Sequence, residues 1–208
     1  MSDCCSAKHC EIERLAEQAE LRRVLIVVLA LNALMFVVEF AAGLVAGSTA
    51  LMADSVDMLG DSFVYTLSLY ALTRSDRWKA GAAVAKGGFL LIFGGLIIVE
   101  AITKAVAGVP PSSTLMFAFG ALALAVNLVC FGLLWRYRTQ DVNMSSSFEC
   151  SRNDLIANSG VLLAAAAVLL TASPWPDIII GLLIAAVFLR SAVRVLWEAW
   201  PMWQAKAT

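Results

Sequence analysis

The chain has 208 residues, 61% of them hydrophobic and 15% charged, with a formal net charge of −1 and a mean hydropathy of +0.82. Soluble domains carry about 25% charged residues, so this composition excludes a mainly soluble protein, and the near-zero charge gives no footing for a nucleic-acid partner. The five cysteines are an odd number and offer no disulfide framework.

Met1 to Glu20 reads as a polar tail, with no cleavable signal peptide in its acidic opening. From Glu11 to Arg23 the chain is predicted to be a charged helix with Ile12, Leu15 and Ala19 along one stripe. Six apolar segments follow, each with the roughly 20 residues that a bilayer requires. Span one runs from about Val24 to Ala46, and span two from about Thr49 to Leu72. Span three covers about Ala80 to Val106, and span four about Thr114 to Tyr137. Span five runs from about Ser145 to Thr171, and span six from about Ile178 to Trp197. The breakers between them are Gly47-Ser48, Gly108-Val109-Pro110-Pro111 and Ser173-Pro174-Trp175-Pro176.

Basic residues set the expected orientation. Arg22, Arg23, Arg74, Arg77, Lys79, Arg136 and Arg138 fall on one side, and Arg190 and Arg194 lie toward it. The opposite turns hold only Lys104 near one of them. The expected fold is therefore all-α, a six-transmembrane-helix bundle with both termini cytoplasmic. Its expected organisation is a cytoplasmic Cys/His tail and amphipathic helix over 1–23, a transmembrane domain over 24–200 and a short tail over 201–208. After Trp203 only five residues remain, so no soluble C-terminal domain is expected.

Span two carries three carboxylates, Asp54, Asp57 and Asp61. An ionised carboxylate at mid-bilayer costs about 2.5–3.5 kcal/mol on insertion scales, so something positive is expected to hold them. Asp57 and Asp61 are i and i+4, one turn apart on one helical face. Cys150 and Asp154 repeat that spacing on span five. The two spans run in opposite directions, so the two pairs can meet at similar depth. Three carboxylates and one thiolate make the four donors of a tetrahedral divalent ion. A thiolate among them favours Zn²⁺ or Cd²⁺ over Mg²⁺ or Ca²⁺.

At these residues the chain resembles the cation diffusion facilitators, six-span exporters of divalent metals. Asp57-Met-Leu-Gly-Asp61 and Cys150-Ser-Arg-Asn-Asp154 are similar to that family's motifs on spans two and five, with Asp57 and Cys150 standing where many zinc members have His. Ser48-Thr-Ala-Leu-Met-Ala-Asp54 and Trp175-Pro-Asp177 also match its pattern. The resemblance implies metal/proton antiport by alternating access in a bacterial inner membrane, with protons as counter-ion, no organic cofactor, and a homodimer held through span three. Ligands must be deprotonated to bind metal, so metal and protons would compete for the same groups. Most members of that family carry a cytoplasmic C-terminal domain, and this chain stops where one would begin.

Other groups have two readings each. Asp57 and Asp61 could be salt-bridge partners of Arg152 or Lys86, and Asp54 could pair with Lys86, accept a hydrogen bond beside the ligands or carry protons. Glu39 and Asn158 read as cavity-lining groups, with a helix–helix hydrogen bond the equal alternative for Asn158, and Glu149 as a residue at the cavity entrance or one that supports a ligand. Cys130 and Asn127 read as packing, and Glu100 with Lys104 as a surface pair. Cys4, Cys5, His9 and Cys10 place four soft donors within seven residues, able to capture metal or to remain a reduced tail. Gly43, Gly47, Gly87, Gly88, Gly94 and Gly95 mark close helix approach. The competing functions are an intramembrane aspartic or thiol hydrolase and a membrane metal-binding protein that does not transport.

Overall fold

Glycine and proline breakers divide the chain into helices α1 (Asp3–Ala46), α2 (Thr49–Tyr70), α3 (Asp76–Ala107), α4 (Ser113–Trp135), α5 (Val142–Thr171) and α6 (Trp175–Gln204). The computed structural model describes the backbone of residues 3–70, 76–138 and 142–204, and most of their side chains between residues 19 and 200. Helix α1 starts earlier than expected, because the charged segment continues into the apolar one without a breaker. Helix α6 starts at Trp175 and not at Ile178. Pro176 fits its first turn, where the missing N–H has no partner to lose.

The turns obey known cap chemistry. Gly47 closes α1 at φ 64°, with Gly47 N donating to Leu44 O at 3.4 Å and Ser48 N to Gly43 O at 2.9 Å. That is the paired Schellman pattern, which requires a left-handed residue just past the helix. Gly108, at φ 66°, closes α3 with one bond to Lys104 O at 2.9 Å.

Helices α1, α3, α4, α5 and α6 each contain a stretch long and apolar enough to cross a membrane. Helix α2 has 22 residues but carries three carboxylates, which sets it apart. It compensates by being central: α2 contacts α1, α3, α5 and α6. From Ala50 to Val56 every residue of α2 is buried. The outer helices instead turn large apolar side chains outward, among them Leu34, Val37, Ile92, Leu128, Leu163 and Val187. Water would not tolerate such a surface, whereas lipid does.

Three apolar clusters fill the interior. One surrounds the first half of α2 and reaches Phe188 and Ala192 on α6. A second, at the other end, holds Leu25, Val28, Tyr65, Cys130 and Leu134. Met35, Met58 and Ala123 form a small third cluster. Asp57 and Asp61 of α2 lie in sequence between the first cluster's Val56 and the second's Tyr65, while Asp54 falls within the stretch that the first cluster surrounds. Helices α3 and α6 approach closely where Leu196 and Leu189 occupy the space a Cβ would need at Gly87 and Gly94. Gly43 meets Met52 of α2 in the same way, while Gly88 and Gly95 face open space.

Candidate metal centre

A bundle interior with a central acidic helix must say what each carboxyl faces. Asp61 of α2 is 6% exposed and Asp154 of α5 is 2% exposed. The Asp61 carboxyl lies within hydrogen-bonding reach of both the Cys150 thiol and the Asp154 carboxyl. The i, i+4 pairs of α2 and α5 therefore meet across one helix–helix contact. Asp57 neighbours Asp61 and acts electrostatically on Asp154. It is half-buried and opens into a cleft of about 340 Å³ between α2, α5 and α6, lined also by Asn153, Gly160 and Ile184. Cys150 is a half-buried free thiol. Among the described residues, no three His, Cys, Asp or Glu side chains converge closely enough to hold an ion as they stand.

The remaining acidic groups sort themselves by helix face. Glu39 of α1 and Asp54 of α2 are 0% and 1% exposed and lie against each other. All four of their carboxyl oxygens are buried without a well-aligned hydrogen bond among the described residues. The sequence reading that pairs Asp54 with Lys86 does not match this arrangement. Asp54, three residues before Asp57, is offset from it by about 60° around the helix, and it lies against Glu39 of α1. Lys86 of α3 instead faces Asp57 and Asp61. Glu149 is exposed on the outside of α5, ion-paired with Arg152 at 2.5 Å. Neither that glutamate nor that arginine reaches the acidic interior. Asn158 is buried, and its Nδ2 donates to the carbonyl of Asp154 at 2.8 Å. The Asn158 Oδ1 has no hydrogen-bond partner among the described residues.

Two features escaped the sequence reading. Tyr65 continues the Asp57, Asp61 register by one more turn and is fully buried beside Asp61, Cys150 and Asp154. The i+4 spacing was its available signal. Asp177, seen only as part of the Trp-Pro-Asp string, is wholly buried. Its Oδ1 accepts the Ser48 hydroxyl at 2.5 Å and the Ala50 N–H at 3.1 Å, and its Oδ2 accepts the Thr49 N–H at 2.7 Å. A residue opening α6 thus caps α2. A Cβ at Gly181, one turn further on, would lie 2.8 Å from the Thr49 carbonyl carbon, so the two backbones touch there.

Elsewhere the packing readings hold. Cys130 belongs to the second cluster and accepts a long contact from Asn32 Nδ2 at 3.8 Å. Asn127 is buried, with both polar atoms of its side chain lacking a hydrogen bond among the described residues. Glu100 and Lys104 pair at 3.2 Å. The side chains of Cys4, Cys5, His9 and Cys10 lie outside the described residues.

Comparison with known proteins follows the same lines. The family model described as the cation efflux transmembrane domain matches residues 25–202. The chain is 28% identical over 188 residues to the zinc transporter ZitB of Yersinia pestis, covering 84% of this chain and 60% of that protein. It is 26% identical over 198 residues to the metal cation efflux system protein CzcD of Cupriavidus metallidurans, covering 86% and 63%. It is 25% identical over 173 residues to a cadmium, cobalt and zinc/H⁺-K⁺ antiporter of Bacillus subtilis, covering 76% and 56%.

Proposed function

The chain belongs to the cation efflux family of integral membrane proteins, and from that premise we propose that it exports a divalent transition metal, Zn²⁺ or Cd²⁺, in exchange for protons. It spans about 60% of the length of the Yersinia relative, so the proposal concerns what this transmembrane part can do. The observation that carries it is the meeting of Asp61 with Cys150 and Asp154 between α2 and α5. Asp57, Asp61, Cys150 and Asp154 are the proposed ligands. The mixed oxygen and sulfur set suits a borderline or soft ion.

In this reading α2 is the sixth membrane span, sheltered from lipid by its neighbours. Both termini are cytoplasmic. Arg136 at the end of α4 meets Glu20 of α1 at 3.2 Å, which supports a common side for Arg22, Arg23, Arg136 and Arg138. At the opposite end, Ser112 N donates to Ala46 O at 2.9 Å and Asp177 holds Thr49. Metal enters from the cytoplasmic side, binds between α2 and α5, and leaves outward when the bundle rocks. Protons compete for the same carboxylates and so drive release. The fully buried Glu39–Asp54 pair is the proposed proton store on the outward side of the ligands. The antiport named for the Bacillus relative supports the proton exchange. Two copies are proposed to associate through α3, where Gly88 and Gly95 face outward.

The test is metal uptake into inverted membrane vesicles under an imposed pH gradient. Asp57→Ala and Asp154→Ala are expected to abolish uptake of both Zn²⁺ and Cd²⁺. If Asp57→Ala transports like the parent, the ligand assignment is wrong. A hydrolase is not favoured, since the matched family is one of cation efflux.

A further inference from the structure

Lys86 is the one basic side chain buried in the bundle among the described residues, at 8% exposure. The described arginines sit at the surface: Arg136 pairs with Glu20 and Arg152 with Glu149, while Arg138 lies over Trp135. Lys104 pairs with Glu100 near the end of α3. Lys86 packs beside Gly60, which lies between Asp57 and Asp61 on α2. A Cβ at Gly60 would lie 3.7 Å from the Lys86 Cε and 3.3 Å from Leu90. The end of the Lys86 side chain thus sits beside α2 at Gly60, and its charge acts on Asp57, Asp61 and Cys150. Asp54 and Glu39 face each other instead.

We propose that Lys86 is a tethered counter-ion, which neutralises the emptied metal site and competes with the transported cation for Asp57 and Asp61. A charged ammonium has three donors and no lone pair, so it cannot ligate the metal beside it. It can only oppose the metal or replace it. When the ion leaves, the ammonium is already in place to take over the two carboxylates, which lowers the cost of leaving them buried and bare. When an ion arrives, it must displace the ammonium. Such a residue makes binding weaker and release faster, the combination a transporter needs to cycle. A residue that merely joined α3 to α2 would support folding and leave metal affinity alone.

This inference rests on the ligand reading above, and the experiment separates the two. The full chain, purified in detergent, is titrated with Cd²⁺ alone and with Zn²⁺ alone, and uptake is measured in proteoliposomes. Lys86→Met is expected to tighten metal binding by about tenfold or more, since a like charge is removed from a low-dielectric site. Its maximal transport rate is expected to fall severalfold while its KM also falls. Lys86→Arg, which keeps the charge, is expected to restore the weaker binding and the faster turnover. The inference is overturned if Lys86→Met binds metal no tighter than the parent, or turns over as fast. Should Lys86→Met be unstable, its melting temperature is compared with and without Cd²⁺. A larger metal-induced rise than in the parent supports the inference, and failure to fold even with Cd²⁺ makes Lys86 a structural pin. If Asp57→Asn leaves Cd²⁺ binding intact, the ligand assignment itself falls, whatever Lys86 does.

Discussion

Asp177 accepts the backbone N–H of Thr49 at 2.7 Å, so the first turn of α6 terminates the N-terminus of α2. The same carboxylate takes the Ser48 hydroxyl and the Ala50 N–H, and Ser48 Oγ in turn accepts the Leu51 N–H at 3.1 Å. The opening N–H groups of α2, orphaned by helix geometry, are thereby satisfied inside the protein, where no water can reach them. A negative charge at a helix N-terminus also complements its dipole. Because α2 carries the proposed ligands, this contact sets their height relative to α6.

Asp177→Ala is therefore expected to destabilise the bundle by about 2–4 kcal/mol, as it strands buried donors that had a charged acceptor. Asp177→Asn keeps one acceptor oxygen and should lose less. Unfolding of the purified protein by a denaturing detergent measures both. Equal stability of parent and Asp177→Ala would show that the α2 cap is dispensable.

Neighbouring glycines on α3 make opposite predictions. Leu189 fills the space beside Gly94, whereas nothing lies within 4 Å of a Cβ at Gly95. Gly94→Val is expected to cost about 1–3 kcal/mol through overpacking against α6. Gly95→Val should leave monomer stability nearly unchanged and weaken self-association if α3 is the dimer face. Denaturation curves test the first, and the protein's mass in detergent by light scattering tests the second.

Much of the fold was legible because its punctuation is chemical. Gly47-Ser48, Pro110-Pro111 and Ser173-Pro174 separate the helices, and the helix bounds beside them fall within a few residues of those expected, whereas the start of α1 and the end of α6, which no breaker marks, lie further out. The meeting of Asp61 with Cys150 and Asp154 was legible too, since a shared i, i+4 spacing on two antiparallel helices constrains depth. What a sequence does not encode locally is how each helix is turned about its own axis. That rotation decides that Asp54 faces Glu39 and that Lys86 faces Asp57 and Asp61. It depends on the sum of packing along α1, α2 and α3, including the bare backbone at Gly60. Glu149 and Arg152 are a different case. They are i and i+3 on one helix, a local pairing that helical spacing alone supports.

Ala172 closes α5 with φ 50° and an N–H bond to Val168 O at 2.9 Å. The other two left-handed caps, Gly47 and Gly108, use glycine. An alanine there carries a Cβ crowding penalty that glycine avoids, partly offset by the greater freedom of glycine when unfolded. Ala172→Gly is expected to stabilise the protein by up to about 1 kcal/mol. Gly47→Ala should destabilise it by a similar amount. Thermal melts of the two variants should move in opposite directions, and a shared direction would refute the conformational argument.

Cys150 distinguishes a ligand from a packing residue most directly. It is half-buried and within hydrogen-bonding reach of Asp61, so either role fits its position. Cys150→Ser keeps the size and replaces a soft sulfur donor with a hard oxygen. As a ligand change, it should penalise Cd²⁺ more than Zn²⁺, by roughly tenfold in the ratio of their KM values, because the softer ion depends more on sulfur. As a packing change, it would lower stability and affect both metals alike. Parallel uptake of Cd²⁺ and Zn²⁺ in the same vesicles reads that ratio free of expression differences. A ratio unchanged from the parent removes Cys150 from the metal centre and leaves the three carboxylates to hold the ion with water or another donor.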